Sequence, residues 1–336
     1  MATTIRDVAR AAGVSQATVS RALSMPELVR ADTRARVEAA ARELGYRPNR
    51  AARGLITGRT GNLGLIVPDL ANPFFASVVK GVQAAARAAD HSVFIADTDE
   101  EAGAEVDLSR ALSKQVDGLI LCSPRAPDEE LAAVGSDTTV VLMNRMAGER
   151  PSVTVDNADG MRQALEHLVA LGHRRIAFVA GPRTSWSNAQ RETGLRGTAE
   201  AGGVDLVHLG HFPPQFEGGV AAADLAVASG ATAVIGYNDL VALGLLSRLG
   251  ARGIPVPDAI SVVGCDDIGM SAMNHPALTT VSVPKRSAGR ATVGLLLSML
   301  DAGAEAGPVH RELPTQLIVR DTTTVAPVSP TKGSTR

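Results

Sequence analysis

Apolar residues recur at two different periods along this chain, and the period changes near residue 60. Before that point Ile5, Val8, Ala9 and Ala12 repeat at i, i+3, i+4 and i+7, which is one face of a helix. Gly13 then supplies the positive φ that a tight turn needs. Val14 and Ser15 open a second helix: Ser15 is a good N-cap, and Val14 and Val19 hold the positions of a hydrophobic staple. With Val19, Ala22 and Leu23 facing inward, Gln16, Ala17, Ser20 and Arg21 face outward. A third helix is predicted from Asp32 to Gly45, with Val37, Ala40, Ala41 and Leu44 on its inner face. Pro48 ends it and can begin a short segment, Asn49 to Leu55. Two helical turns are marginal alone, and Gly54 costs about 1 kcal/mol of propensity relative to Ala.

From Asn62 short apolar runs alternate with longer helical stretches: NLGLIV, SVFIAD, DGLILC and TVVLM, then RIAFVAG, TAVIGY and ISVVGC. Strands alternating with helices predict parallel sheets covered on both faces. The runs before and after about residue 157 read as two similar lobes. Ligands of such sheets bind beyond the carboxyl ends of the strands. The candidates there are Asp69 to Phe75, Ser123, Asn144 and Arg145, Ser185 to Arg191, Asn238 and Asp239, and Asp266 with Asp267.

Charge sharpens the division. Residues 1–60 hold eleven Arg and five acids, a net of +6, while the rest of the chain carries −8. A polyanion-binding head on an acidic body fits this asymmetry, although a solvated helical surface has the same look. No stretch approaches the ~18 uninterrupted apolar residues of a membrane helix. The start, MATTIRDVARAAG, lacks the apolar run of a signal peptide, so a cytoplasmic protein is expected. Cys122 and Cys265 have no metal-ligand spacing and read as reduced thiols.

Three short helices with a glycine turn between the first two give the geometry that sets a recognition helix in the DNA major groove. There Gln16 suits adenine, Arg21 guanine or phosphate, and Ala17 a thymine methyl. The plain alternative is a three-helix bundle whose polar residues meet only water. A marginal helix at Asn49 to Leu55, between a DNA head and a sensor, makes a natural switch; a flexible linker is the other reading.

The segments IRDVARAAGVSQATVSRAL, TRARVEAAARELGYRPNRAARGL and GLIVPD resemble the lac repressor (LacI) family of bacterial regulators, and the match runs from about Thr4 to about Val325. The resemblance implies a helix-turn-helix head (1–46), a hinge helix and linker (47–60), a two-lobed effector and dimerisation domain like the type I periplasmic binding proteins (61–325), and a flexible tail (326–336). It implies base reading by Gln16, Ala17 and Arg21, and a hinge in the minor groove with Leu55 as a wedge, an apolar residue suited to unstacking base pairs. Gly54 departs from the family's larger residue there. The expected DNA-facing set is Thr4, Ser15, Gln16, Ala17, Ser20 and Arg21, joined by Asn49, Arg50, Ala52, Arg53 and Leu55.

The expected effector set is Asp69, Asn72, Phe74, Phe75, Ser123, Asn144, Arg145, Trp186, Arg191, Phe212, Asn238, Asp239 and Asp266. Its Asp, Asn and Arg side chains offer directional hydrogen bonds to hydroxyls or a carboxylate, and its rings offer flat apolar faces. Singly each is weak, since an Asp after a strand is more often a helix cap and a lone Trp more often core. Arg191 in SWSNAQRETGL, Asn238 and Asp239 in YNDLVALG, Asp266 in GCDD and Asn144-Arg145 in VVLMNR match ligand-contacting positions of the family. Cys265 replaces an aromatic residue usual before the paired aspartates, and Val283 replaces a polar residue.

The chain contains no GxxxxGK[ST], GxSxG, HExxH or GxGxxG motif, so neither a catalytic centre nor a cofactor or metal is expected. His167 and His173 are read as surface residues, and GHRR at 172–175 as a basic turn. The tail has no leucine heptads, so a homodimer is expected rather than a coiled-coil tetramer. The reading is therefore a DNA-binding transcriptional regulator, a repressor binding a palindromic double-stranded operator under control of a small polar effector, a sugar first of all. A nucleobase or phosphorylated metabolite acting as corepressor is the alternative, and a cytosolic sugar-processing enzyme a remote one.

Overall fold

In the computed structural model, which describes residues 3–46, 59–134, 138–302 and 309–327, the first helix begins where Thr4 meets Asp7. The Asp7 carboxylate accepts from the Thr4 hydroxyl at 2.7 Å and from its N–H at 3.0 Å. The described chain divides into two compact units, one of residues up to Gly61 together with Gln115–Asp117, which holds the first helices, and a larger α/β one made of the rest.

The helical unit holds α1 (Ile5–Ala12), α2 (Gln16–Ser24) and α3 (Ala31–Glu43). Gly13 ends α1 at φ 67°, and the Val14 N–H returns 3.0 Å to the Ala9 carbonyl, the six-to-one bond of a Schellman stop. Ser15 Oγ accepts the Thr18 N–H at 3.1 Å and so caps α2. Val8, Val19 and Val37 are fully buried at the centre, with Ala9, Ala12, Ala22, Ala40 and Ala41 around them. The third helix opens one residue before the expected Asp32 and stops at Glu43. Leu44, expected on its inner face, is exposed beyond the last turn, because Gly45 turns left-handed there (φ 61°). The segment Asn49 to Leu55 and most of the tail lie outside the described residues.

The α/β unit carries two six-stranded sheets. The first contains β1 (Asn62–Val67), β2 (Ser92–Asp97), β3 (Gly118–Cys122), β4 (Thr139–Met143), β5 (Ser152–Val155) and β11 (His310–Leu313) in the order β11-β5-β4-β3-β1-β2. The second contains β6 (Arg175–Ala180), β7 (Asp205–His211), β8 (Ala233–Gly236), β9 (Ser261–Asp266), β10 (Thr279–Ser282) and β12 (Gln316–Ile318) in the order β12-β10-β9-β8-β6-β7. Each lobe thus repeats the order 2-1-3-4-5, with a late strand added at one side. Every pairing is parallel except β10 with β12. Helices cover the sheets: α4 (Pro73–Ala88), α5 (Ala102–Ser113) and α6 (Asp128–Ala133) in the first lobe, α7 (Asn157–Ala170), α8 (Trp186–Gly202), α9 (Phe216–Ala228), α10 (Asp239–Ala251) and α11 (Gly269–Met273) in the second. The long α12 (Lys285–Ala302) returns to pack on α4 and the first sheet.

The division near residue 157 is therefore only the first of three crossings. The chain passes to the second lobe after β5, back after β10, and again after β11. His173 corrects the expectation of a surface residue: it is fully buried, with Nδ1 2.8 Å from Thr232 Oγ1 and Nε2 3.0 Å from the Thr324 carbonyl. The carbonyl accepts, so Nε2 carries the proton, and burial holds the imidazole pKa below its usual value. His167, half-buried, meets Thr323 Oγ1 at 2.9 Å.

Candidate ligand cleft and exposed helical surface

The carboxyl ends of the strands in both lobes meet at a cleft. Asn72, Phe74, Phe75, Glu100, Ser123, Arg125 and Asn144 line it from the first lobe, and Arg191, Pro214, Tyr237, Asn238 and Asp266 from the second. Three helices start there because their caps do. Asn72 Oδ1 accepts the Phe74 N–H at 2.9 Å, Ser185 Oγ the Asn188 N–H at 3.2 Å, and Asn238 Oδ1 the Val241 N–H at 2.9 Å. The N-terminal ends of α4, α8 and α10 thus face the cleft, and their partial positive charge suits ligand oxygen atoms.

Arg191, 3% exposed, organises the second lobe. Its Nε donates to Asn157 Oδ1 at 3.0 Å, Nη1 to the Tyr237 carbonyl, and Nη2 to Asp266 Oδ1 at 3.4 Å. The guanidinium also lies 4.8 Å from the Tyr237 ring centroid, in cation–π range. Asn157 Nδ2 donates to Asn144 Oδ1 at 3.3 Å, and Asn144 Nδ2 to Ser123 Oγ at 3.0 Å. A continuous polar chain thus crosses the floor from one lobe to the other. Burial pushes the Asp266 carboxyl up to about 7, although Arg191 pulls the other way.

Arg125 is the second cation. Nε and Nη2 hold both oxygens of Glu100 at 2.6 and 2.9 Å, and Nη1 donates to the Ser123 carbonyl at 3.1 Å. Glu105 supports the turn beneath by accepting the Arg125 and Ala126 N–H groups at 2.6 and 2.8 Å. Each cation of the cleft thus meets a carboxyl group, Arg125 that of Glu100 and Arg191 that of Asp266. The space left among the side chains is about 20 Å³, enough for roughly one water molecule. A larger ligand enters only if the lobes part or these side chains turn aside.

Glu100 (φ 62°), Ser123 (47°), Asn144 (54°) and Asp266 (122°) all take left-handed backbone conformations. Such residues cost about 1–3 kcal/mol each and persist where surrounding bonds over-determine them. Their concentration at the strand ends marks the cleft independently of side-chain chemistry.

Of the thirteen expected effector residues, Asn72, Phe74, Phe75, Ser123, Asn144, Arg191, Asn238 and Asp266 line this cleft. Five do not. Asp69 turns back to the Ala71 N–H at 2.7 Å, with Gln215 Nε2 3.4 Å away. Arg145 is drawn to Asp128 at 2.6 Å and the Pro124 carbonyl at 3.1 Å. Trp186 is half-buried in the first turn of α8, and Phe212 packs on the apolar cluster of the second lobe. Asp239 is buried behind the cleft, accepting from the Ile268 N–H at 2.9 Å and from the Ser271 and Thr280 hydroxyls. Sequence reasoning missed Glu100, Arg125, Asn157, Pro214 and Tyr237. Glu100 and Arg125 stand three residues beyond the ends of β2 and β3, a spacing that could have found them.

In the helical unit Thr4, Ser15, Gln16, Ala17 and Arg21 are exposed and Ser20 half-exposed. Arg6, Arg10, Arg30, Arg36 and Arg42 add exposed positive charge. Asn49, Arg50, Ala52, Arg53 and Leu55 lie outside the described residues.

Residues 4–49 match the model of the bacterial regulatory proteins of the lacI family, and residues 165–323 that of the periplasmic binding protein-like domain. The HTH-type transcriptional repressor CytR of Escherichia coli (strain K12) is 34% identical over 97% of this chain and 98% of its own. The crystal structure of the lac repressor dimer bound to operator and the anti-inducer ONPF superposes with a TM-score of 0.84 at 31% identity, covering 96% of this chain and 100% of that one. The transcriptional regulator CelR–cellobiose complex gives 0.71 at 30% identity, over 95% and 99%.

Proposed function

Because the chain belongs to the lacI family of bacterial regulatory proteins, we propose that it represses transcription as a dimer on a palindromic operator, under control of a neutral, hydroxyl-rich effector of the sugar class. It is a transcription regulator and not an enzyme; transcriptional repressors and regulators stand among its curated relatives. The observation that carries the sugar reading is the pairing of Arg125 with Glu100 and of Arg191 with Asp266. An anionic ligand would have to displace Glu100 from Arg125 and would still face the Asp266 carboxyl. Hydroxyl groups both donate and accept, so they can satisfy carboxylates, amides and guanidinium groups together. Phe74 and Phe75, edge to face at 5.0 Å, offer an apolar wall to a sugar ring. The cellobiose bound by CelR agrees with this chemistry.

Gln16, Ala17 and Arg21 read bases in the major groove, and Thr4, Ser15 and Ser20 position the helix on the backbone. Residues 47–60 form the hinge, with Asn49, Arg50, Ala52, Arg53 and Leu55 in the minor groove, and residues 61–325 form the effector and dimerisation domain. The dimer forms in part through an apolar groove of α10 and α11, where Leu243, Met270 and Met273 sit and Met273 is 84% exposed. The protein works in the cytoplasm, where its operator is; no described helix is long and apolar enough to cross a membrane.

A thermal-shift screen of the full-length protein against neutral mono- and disaccharides, nucleosides and phosphosugars tests the assignment. A neutral sugar at a hundredfold excess over its Kd stabilises the protein by about 2.7 kcal/mol and raises Tm. A response confined to phosphosugars or nucleosides would replace the sugar class with the other one.

A further inference from the structure

The strand β7 ends in the sequence His208-Leu209-Gly210-His211, and its two histidines should point to opposite faces, since side chains three apart on a regular strand alternate. They do not. Gly210 takes φ 111°, and the β6–β7 ladder shifts register between Phe178 and Ala180, so that two steps on β6 face three on β7. This bulge turns His208 and His211 to one side, with ring centroids 5.2 Å apart. Glu192, one residue after Arg191 on α8, completes the group. Each of the three offers a ligand atom, and these lie within 4.8 Å of one another. We propose that Glu192, His208 and His211 bind one divalent transition-metal ion of the zinc class on the rim of the second lobe, apart from the effector cleft.

Several details fit a metal better than a chance cluster. Tetrahedral donors about 2.0–2.1 Å from zinc stand roughly 3.3 Å apart, and His208 Nε2 lies 3.4 Å from Glu192 Oε1. Supporting bonds already orient two of the ligands. His211 Nδ1 is 2.8 Å from the Gly181 carbonyl, which can only accept, so the proton sits on Nδ1 and the Nε2 lone pair is left for a ligand. Asn188 Nδ2 holds Glu192 Oε1 at 2.6 Å. Outer partners of this kind fix the tautomer and aim of metal ligands. His208 is the ligand that must adjust: ligation through Nε2 needs its proton on Nδ1, which gives up the 3.2 Å contact from the Gly210 N–H. Two imidazoles and one carboxylate favour zinc, nickel or copper over magnesium or calcium. A cavity of about 350 Å³ beside the cluster, walled by Phe178, Leu195, Val204 and Leu206, reaches His208 and Glu192 and provides access.

Full-length protein freed of any affinity tag and of metal is titrated with zinc chloride by calorimetry. One Zn²⁺ per protomer is expected, with Tm raised and with no response to magnesium chloride at the same concentration. His211→Ala and His208→Ala each lower zinc affinity by about a hundredfold or more, at least the effect of losing an outer partner. Zinc uptake that is absent in the wild type, or unchanged in both variants, overturns the site. Should a variant fail to fold, cobalt chloride added to the wild type decides. Tetrahedral d–d bands without a thiolate-to-cobalt charge-transfer band support the cluster, because neither Cys122 nor Cys265 belongs to it. A thiolate band, or no d–d bands, contradicts it.

Discussion

Asp266 combines three unfavourable circumstances in one residue: 5% exposure, a left-handed backbone and a carboxyl raised to about 7. It stays because Arg191 needs a hydrogen-bond acceptor there. The raised pKa has a definite consequence for stability. An unfolded chain releases this proton near pH 4, whereas the folded one keeps it to about 7. Between those values the folded state binds more protons, so this group makes stability fall as pH rises, and below pH 4 it contributes nothing. Asp266→Asn should remove that component. Melting curves from pH 4 to 8 should show the wild type losing more Tm between pH 4 and 7 than the variant, and parallel profiles would refute the burial argument. At this scale the cleft was partly legible: Arg191, Asn238 and Asp266 stand just after apolar runs or in matching motifs. Trp186 and Phe212 stand out in the sequence because aromatic residues are scarce, and scarcity does not determine facing; packing on the second lobe claims Phe212.

Among the elements, the strands read most easily are those buried on both faces, such as β1, β3 and β9, whose apolar runs are continuous. β5 and β10 were not foreseen because four-residue strands containing Ser or Thr look like loops. β7 and β11 were missed because edge strands carry polar residues, as His208 and His310 do. Helix pairs depend on close approach that no periodicity reveals. Gly219 on α9 and Gly244 on α10 face each other at the crossing, where a Cβ on Gly219 would meet the Val241 carbonyl oxygen and one on Gly244 the Phe216 carbonyl oxygen. Backbone cannot yield as a side-chain tip does, so Gly219→Ala should force the helices apart. The expected loss is about 1–3 kcal/mol, the usual cost of overpacking. Urea denaturation measures it, and an unchanged midpoint would mean that the crossing tolerates the methyl group.

Across the whole molecule, the proposed function requires the basic head and the effector cleft to be coupled. The polar chain Ser123–Asn144–Asn157–Arg191 already ties one lobe to the other across the cleft floor. An effector that reaches into it biases the lobes, and that bias must be felt at the DNA if the protein is a switch. Linkage then requires the effector to change operator affinity by the same factor as the operator changes effector affinity, commonly about 5–150-fold. The decisive measurement is the calorimetric Kd of the stabilising sugar with and without saturating operator, for wild type and Arg191→Ala. Different affinities in the two states are expected for the wild type, and in Arg191→Ala no sugar binding while the variant still holds operator. Equal sugar affinities with and without operator in the wild type would contradict the coupling.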